Sequence, residues 1–345
     1  MMRRDPETLD RLLDTALDGV AADEPTMTDQ EVRTGRADLA TALRTRSTPR
    51  RRRPVLVAAA VAGVAMLTAG GLLLQTLDVG GPATASAAES LNRAADLATT
   101  TADQPLAAGQ YRYVRSKYRG ITLAAGSEEA STSGVVQEDW IPADPSQEWL
   151  EHRADDGTPS WLPGREGQGQ PSGSPKDLVG EFRALCGNFS YLAAGSPDKC
   201  ANPSWSNPSA EFLAALPTDP EALYRRLVAD GKDGDTGAFL LVRNTLLTGR
   251  VPAASRAQLY RALAHAPSLV VTDARANLDG ATGTALGVRV GGDFQEIIVN
   301  PADGTFIGWR EVLAEDANGL AAGTVRQSSA TTTGVVDAVG TKPGS

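Results

Sequence analysis

Residues 50–77 read RRRRPVLVAAAVAGVAMLTAGGLLLQTL, and the organisation of the whole chain depends on this stretch. After the arginines and Pro54, no charged residue occurs up to Leu77. About 20 apolar residues in a helix span the roughly 30 Å hydrocarbon core of a bilayer. Residues 54–77 are therefore predicted to form one transmembrane helix.

The basic cluster before this helix predicts its orientation. The cluster consists of Arg50, Arg51, Arg52 and Arg53. Arginines beside a membrane span favour the cytoplasmic side, so we expect residues 1–53 inside and residues 78–345 outside the cell membrane. Because the chain carries a net charge of −9, contact with anionic lipid explains the cluster better than nucleic-acid binding does.

Two other interpretations of the apolar stretch remain. A secretory signal peptide has a shorter apolar core of about 7–15 residues, and the small residues at 83–88 would permit cleavage. The longer apolar run and the preceding residues 1–53 favour an uncleaved anchor. A buried helix of a soluble domain would carry a polar residue at every third or fourth position, whereas only Thr68, Gln75 and Thr76 interrupt this run.

The cytoplasmic tail is predicted to contain two short amphipathic helices. The first begins at Asp5-Pro6 and repeats leucines at the three-to-four spacing of one helix face, and the second begins at Thr28 with capping-box spacing to Glu31. Such helices present an apolar stripe to each other, to the membrane or to a partner such as a sigma factor. The alternative is a weakly ordered leader. Since the tail lacks histidine and cysteine, a zinc-binding anti-sigma domain is excluded.

The chain has two cysteines, Cys186 and Cys200, both in the predicted outer region. In an oxidising compartment they can pair, and closing a loop of about 15 residues stabilises a fold by about 3 kcal/mol in the chain-entropy model. We therefore predict a disulfide, because two cysteines at this spacing do not make a metal site.

The outer region is predicted to be α+β, with helices packed on one face of a largely antiparallel sheet. Strands are predicted at 111–118, 135–141, 147–153, 269–272, 285–290, 295–299 and 306–312, with one or two more in 323–339. Helices are predicted from Ala85, up to Leu216, from Asp219, over 237–248 and from Pro252. The flexible loop at 163–176 is either a domain boundary or an insertion.

Several short motifs follow the membrane span in a fixed order. They are Ser86-Ala87-Ala88-Glu89, Leu216-Pro217-Thr218-Asp219-Pro220, Val242-Arg243-Asn244, Gln295-Glu296-Ile297-Ile298-Val299-Asn300-Pro301 and Val335-Val336-Asp337-Ala338. In this arrangement the chain resembles an uncharacterised family of actinobacterial single-pass membrane proteins with an extracytoplasmic α+β domain. Members are often encoded beside extracytoplasmic-function sigma factors, so the resemblance implies a regulatory, anti-sigma-like role. It implies no catalytic or binding residues.

The remaining polar residues do not form a recognisable catalytic pattern. His152 and His265 are far apart, and we expect structural roles for both. The acidic pairs Glu128-Glu129, Glu138-Asp139 and Asp155-Asp156 are predicted to be solvated charges in loops or at strand ends. No nucleophile elbow, phosphate loop or metal-ligand spacing occurs. We therefore predict a protein that is not an enzyme, with no catalytic, cofactor or metal residues.

The five tryptophans leave a binding function open. They are Trp140, Trp149, Trp161, Trp205 and Trp309. Packing in the core or on the sheet explains them, and an aromatic ligand groove is the alternative. The sequence thus favours a membrane-anchored regulatory or sensory protein whose outer domain binds a ligand or an envelope partner. The alternative is an anchored carrier module for an apolar ligand, similar in element order to lipoprotein carriers, and a surface hydrolase is the third possibility.

Overall fold

In the computed structural model, the described residues are 85–100, 103–124, 128–171, 173, 178–189 and 200–344. The predicted tail at 1–53 and the predicted membrane helix at 54–77 lie outside them. Within the described part of the chain, no helix is both long and apolar enough to cross a membrane.

Helices and strands occur in blocks along the described chain. The helices are α1 (Ala85–Thr100), α2 (Ala210–Ala214), α3 (Pro220–Gly231), α4 (Gly234–Leu247) and α5 (Ala253–Leu263). The strands are β1 (Tyr111–Leu123), β2 (Ala130–Pro142), β3 (Glu148–Asp155), β4 (Ser160–Trp161), β5 (Gly180–Leu185), β6 (Val270–Leu278), β7 (Ala281–Val290), β8 (Asp293–Val299), β9 (Phe306–Leu313) and β10 (Val325–Val336).

All ten of these strands belong to one antiparallel sheet, which confirms the predicted α+β class. The order is β5-β3-β2-β1-β10-β9-β8-β7-β6, and β4 pairs with β2 beside this path. The pairing of β1 with β10 joins the strands before the helices to the strands after them. The loop at 163–176 connects β4 to β5, so it lies between two strands of one sheet.

The helices begin where the sequence places their capping residues. Asp219 accepts a hydrogen bond from the backbone N–H of Ala222 at 2.8 Å and precedes Pro220 at the first helical position, the usual pattern of a capped helix start. At α5 the cap comes from a distant segment, because Asp103 accepts a 2.7 Å hydrogen bond from the N–H of Ala253. This bond ties the chain after α1 to α5.

The main hydrophobic core lies between the helices and strands β7 and β8. Phe239, Tyr260 and Leu263 from the helices are fully buried with Leu286 and Ile297 from the sheet. Burying each such side chain contributes about 1.5–3 kcal/mol. This core fixes the helices over one face of the sheet.

The β8–β9 turn packs closely on α1. Gly304 in this turn has a φ of 70°, and a Cβ there would lie 2.0 Å from the carbonyl oxygen of Ala94. Only glycine fits both the left-handed backbone and the close approach. The turn therefore holds α1 against the end of the sheet.

Candidate functional site

A group of polar side chains lies on the helix-covered face of the sheet, beside the apolar core. Residues directly opposite on neighbouring strands share a face, and so do residues two apart on one strand. One row is Glu151, Asp139, Val114 and Thr333; the next is Arg153, Gln137, Ser116 and Thr331; a third is Tyr118, Ser329, Trp309 and Ile297. Ile297 belongs to the core under the helices, so these rows face the helices.

We call this region the polar sheet face. Its members are Ser116, Tyr118, Gln137, Asp139, Glu151, Arg153, Gln295, Trp309, Glu311, Ser329 and Thr331 on the strands, with Arg243 and Arg250 from α4 and the residues after it. Ser329 and Glu151 are buried, whereas Asp139, Tyr118 and Trp309 remain partly accessible. The face is therefore open to solvent in part.

Two carboxyl groups at one end of the polar sheet face share an amide. The side-chain nitrogen of Gln137 donates to Glu151 at 2.8 Å and to both oxygens of Asp139, at 3.2 and 3.3 Å. Burial, followed by repulsion from Glu151, raises the pKa of Asp139 well above its ordinary value. Burial also raises the pKa of Glu151, although Arg153 at 2.5 Å opposes this. The pair therefore tends to hold a proton.

Arg243 occupies the other end of the polar sheet face. Its guanidinium lies over the ring of Trp309, with Cζ 4.7 Å from the ring centroid, and donates to the side-chain oxygen of Gln295 at 2.5 Å. Gln295 in turn donates to Glu311 at 2.6 Å. Burial lowers the pKa of Arg243, and nearby Glu311 opposes the shift. A chain of polar contacts thus links α4 to β8 and β9.

Arg250 follows α4 and lies at the end with the carboxyl pair. Its Cζ is 5.1 Å from the centroid of the Trp149 ring, and Nη2 donates to the side-chain oxygen of Asn207 at 2.9 Å. Burial lowers the pKa of Arg250 to about 10, opposed by Asp139. The preceding Gly249 permits this approach, because a Cβ there would lie 2.7 Å from a methyl group of Val114.

Some buried polar atoms of this face have no hydrogen-bond partner among the described residues. They include Trp309 Nε1, Thr331 Oγ1 and Arg153 Nε. Nearly all buried polar groups in proteins are hydrogen-bonded, and each unpaired one costs about 1–3 kcal/mol. Such groups concentrated on one face are typical of a site that a polar ligand completes.

The opposite face of the sheet carries a second polar cluster, centred on Glu138. Its carboxylate accepts hydrogen bonds from Tyr113 at 2.5 Å and Lys342 at 2.9 Å, and lies 3.3 Å from Nδ1 of His152. Burial alone would raise the pKa of Glu138, but Lys342, Tyr113 and His152 lower it below its ordinary value. Since its polar groups satisfy each other, this cluster is structural.

These positions correct part of the sequence analysis. The prediction that Glu138 and Asp139 are solvated charges in a loop or at a strand end was wrong, because both lie within β2 and Glu138 is only 3% exposed. Asp156 pairs with Arg119 at 2.6 Å. Asp155 is exposed at the end of β3, as predicted.

The other residues singled out from the sequence have packing roles. Cys186 and Cys200 form a disulfide with Cα atoms 5.2 Å apart. The His265 ring stacks on Tyr224 with ring centroids 6.4 Å apart, which is a structural role. Trp140, Trp149 and Trp205 are buried, in line with packing roles. Arg50, Arg51, Arg52 and Arg53 lie outside the described residues.

Sequence reasoning missed the polar sheet face as a site. Its members come from strands that are distant along the chain and from the residues around α4, so no local motif contains them. One local signal was present: Gln137, Glu138 and Asp139 are consecutive polar residues inside a predicted strand. A strand with polar residues on both faces indicates polar networks on both sides of its sheet.

Comparison of the chain with protein-family models, with curated proteins and with solved structures finds no match in any of the three. The resemblance to the actinobacterial membrane family therefore stays a prediction from the quoted motifs. The function can therefore be inferred only from the geometry of the polar sheet face and from the sequence.

Proposed function

We propose that the chain is a membrane-anchored sensory or regulatory protein whose outer domain binds a polar ligand on the polar sheet face. The observation that carries the proposal is the pair of buried polar atoms at Trp309 and Thr331 that have no hydrogen-bond partner among the described residues. A ligand that pairs with them recovers the cost of burying them. Parts of Asp139 and Tyr118 remain accessible beside them, which supports entry from solvent.

The proposed topology comes from the sequence. Residues 54–77 cross the cell membrane once, with Arg50–Arg53 on the cytoplasmic side, and the disulfide between Cys186 and Cys200 agrees with an oxidising compartment outside. In this arrangement the tail at 1–53 engages a cytoplasmic regulator such as a sigma factor. Ligand binding outside then biases that contact, so the protein acts in an anti-sigma-like way.

Polar chemistry on the sheet face disfavours the alternative of a carrier for an apolar ligand. An apolar molecule would leave the Thr331 hydroxyl and the Trp309 Nε1 without partners, and the charge of Arg243 without a counter-charge, in a dry environment, which is costly. Extraction of the purified full chain with organic solvent separates the two functions: a carrier releases lipid, whereas a sensor of polar ligands does not.

The regulatory part is tested by co-purification. The full chain and a variant that lacks the predicted first tail helix, residues 5–20, are solubilised from the producing cells in mild detergent and captured through a C-terminal tag. We expect a sigma factor to co-purify with the full chain and to be lost with the variant. Recovery of no sigma factor from the full chain would refute the regulatory proposal.

A further inference from the structure

Two arginines reach the polar sheet face without an ion-pair partner. Among the described residues, neither Arg243 nor Arg250 forms a salt bridge, and the side-chain acceptors that hold them are the neutral amides of Gln295, Asn244 and Asn207. Both guanidinium groups also lie over tryptophan rings. Burial lowers the pKa of each, so each charge lies in an environment that disfavours it.

The nearest carboxyl groups are already engaged. Glu311 accepts from Gln295 at 2.6 Å and lies 3.5 Å from Nε of Arg326. Asp139 accepts from Gln137, and its raised pKa favours the neutral form. Glu311 and Asp139 thus act on the two arginines from a distance, and neither forms a salt bridge with them among the described residues.

Arg310 shows what a structural arginine of this sheet looks like. It lies on the opposite face, where its guanidinium contacts the buried Glu296 and bonds Asp273 at 3.0 Å. Glu296 is 2% exposed. At Arg310 the fold thus supplies two carboxylates, because an unpaired buried charge is destabilising.

The unpaired polar atoms near Arg243 are hydrogen-bond donors. Trp309 Nε1 can only donate, and the hydroxyl of Thr331 can donate. Ser329 is directly opposite Trp309, and Thr331 is two residues further along β10, towards Thr333 beneath Gly249. These donors therefore lie between two points on the sheet. One is Trp309, which Arg243 covers, and the other is Thr333, which Gly249 contacts just before Arg250.

We propose that the polar sheet face binds oxyanion groups, carboxylate or phosphate, at Arg243 and at Arg250, one at each end of the face, with Trp309 and Thr331 as further donors near Arg243. This inference rests on the proposed ligand-binding function and names the chemical class of the ligand. Arginine is suited to both groups, because its planar fork donates two parallel hydrogen bonds. Bound anion supplies the missing counter-charge and the missing acceptors together.

The test is a titration of the full chain in detergent, followed by tryptophan fluorescence. The reporters are well placed, since Trp309 and Trp149 lie under the two arginines. The probes are sodium phosphate and sodium succinate, with sodium chloride at matched ionic strength and glucose as a neutral polar probe. We expect a saturable change in tryptophan fluorescence with phosphate, succinate or both. The probe that produces the change identifies the kind of anion. Chloride should give none.

Three variants connect binding to the site. Arg243→Gln and Arg250→Gln should each weaken anion binding by about tenfold or more, since each removes charged hydrogen bonds. Arg225→Gln is the matched control, because Arg225 is an exposed arginine of α3 whose salt bridge among the described residues is with Glu221. This variant should bind the anion with the affinity of the unmodified chain. Unchanged affinity in both site variants would overturn the inference.

Two further results keep the inference separate from protein stability and from the proposed function. Without anion, Arg250→Gln should lower the urea midpoint less than Arg310→Gln does, because it removes a cation–π contact and a hydrogen bond rather than two ion pairs; an equal loss in both would overturn the inference by making Arg250 structural. If glucose binds and neither anion does, the anion inference fails and the ligand-binding proposal stands. If none of these probes binds, the anion inference fails, and the search for a ligand of the proposed function moves to other polar molecules.

Discussion

The guanidinium of Arg250 lies over the indole ring of Trp149, with Cζ 5.1 Å from the ring centroid. Trp149 is on β3 and Arg250 follows α4, so this contact joins the helices to the strand that carries Glu151. The energy of this contact can be measured. All five tryptophans lie within residues 140–309, so tryptophan fluorescence reports on this part of the full chain alone.

A double-mutant cycle should detect this stacking contact. We expect Trp149→Leu and Arg250→Gln, made singly and together, to show a coupling energy of about 0.5–2 kcal/mol, the range for a cation–π pair that is partly desolvated. Urea unfolding followed by fluorescence measures it. A cycle between Trp149 and the distant, exposed Arg225 is the control, and a coupling near zero in both cycles would contradict the contact.

The free energy of unfolding should depend on pH through the carboxyl pair of Asp139 and Glu151, and the pKa shift of Asp139 gives the sign of this dependence. Because the pKa of Asp139 is raised in the folded state, the folded protein binds more protons than the unfolded chain above the ordinary pKa of about 4. The contribution of Asp139 to stability should therefore fall as pH rises from about 4 towards the raised pKa, and then level off.

Asp139→Asn should remove much of this slope and be more stable than the unmodified chain at neutral pH. The measurement is the urea midpoint between pH 4 and pH 8. Asp155→Asn, at an exposed position on the end of β3, should leave the slope unchanged. If Asp139→Asn kept the full slope, the carboxyl pair would not be its source.

The contact between α3 and α4 depends on two glycines. A Cβ on Gly237 would lie 2.5 Å from the carbonyl oxygen of Gly231, so Gly237→Ala should force the helices apart and cost about 1–3 kcal/mol. Gly120→Ala on β1 is the control, because its Cβ would meet its nearest atom at 3.8 Å. Equal urea midpoints for both variants would show that the helices do not pack this closely.

The fold was predictable where local signals were strong. Asp219-Pro220 marked the start of α3, and alternation marked β1, β3, β8 and β9. Some strands were missed or shortened. The short strands β4 and β5 were not predicted, and β1, β2, β6 and β7 extend beyond their predicted bounds, β6 to Leu278 rather than Thr272. The polar residues of β6 conceal it, because Asp273 faces Arg310 rather than solvent.

The candidate site was less predictable than the fold for a physical reason. Arg243 pairs with Gln295, which is 52 positions away along the chain, and Trp309 meets Ser329 only through strand register. Charge on a single strand does not show whether its counter-charge comes from another strand, from a helix or from a ligand. Only the placement of α4 over β9 and β10 shows which charges lack a partner.

A ligand site on the polar sheet face is tested most directly by amide hydrogen exchange of the full chain with and without phosphate, succinate and glucose. We expect a bound probe to slow exchange in α4, in the residues from α4 to Arg250, and in β9 and β10. Thr331→Val, which removes one unpaired hydroxyl at little cost to stability, should reduce this protection. Protection confined to other parts of the domain, or equal protection in Thr331→Val, would contradict a ligand site on the polar sheet face.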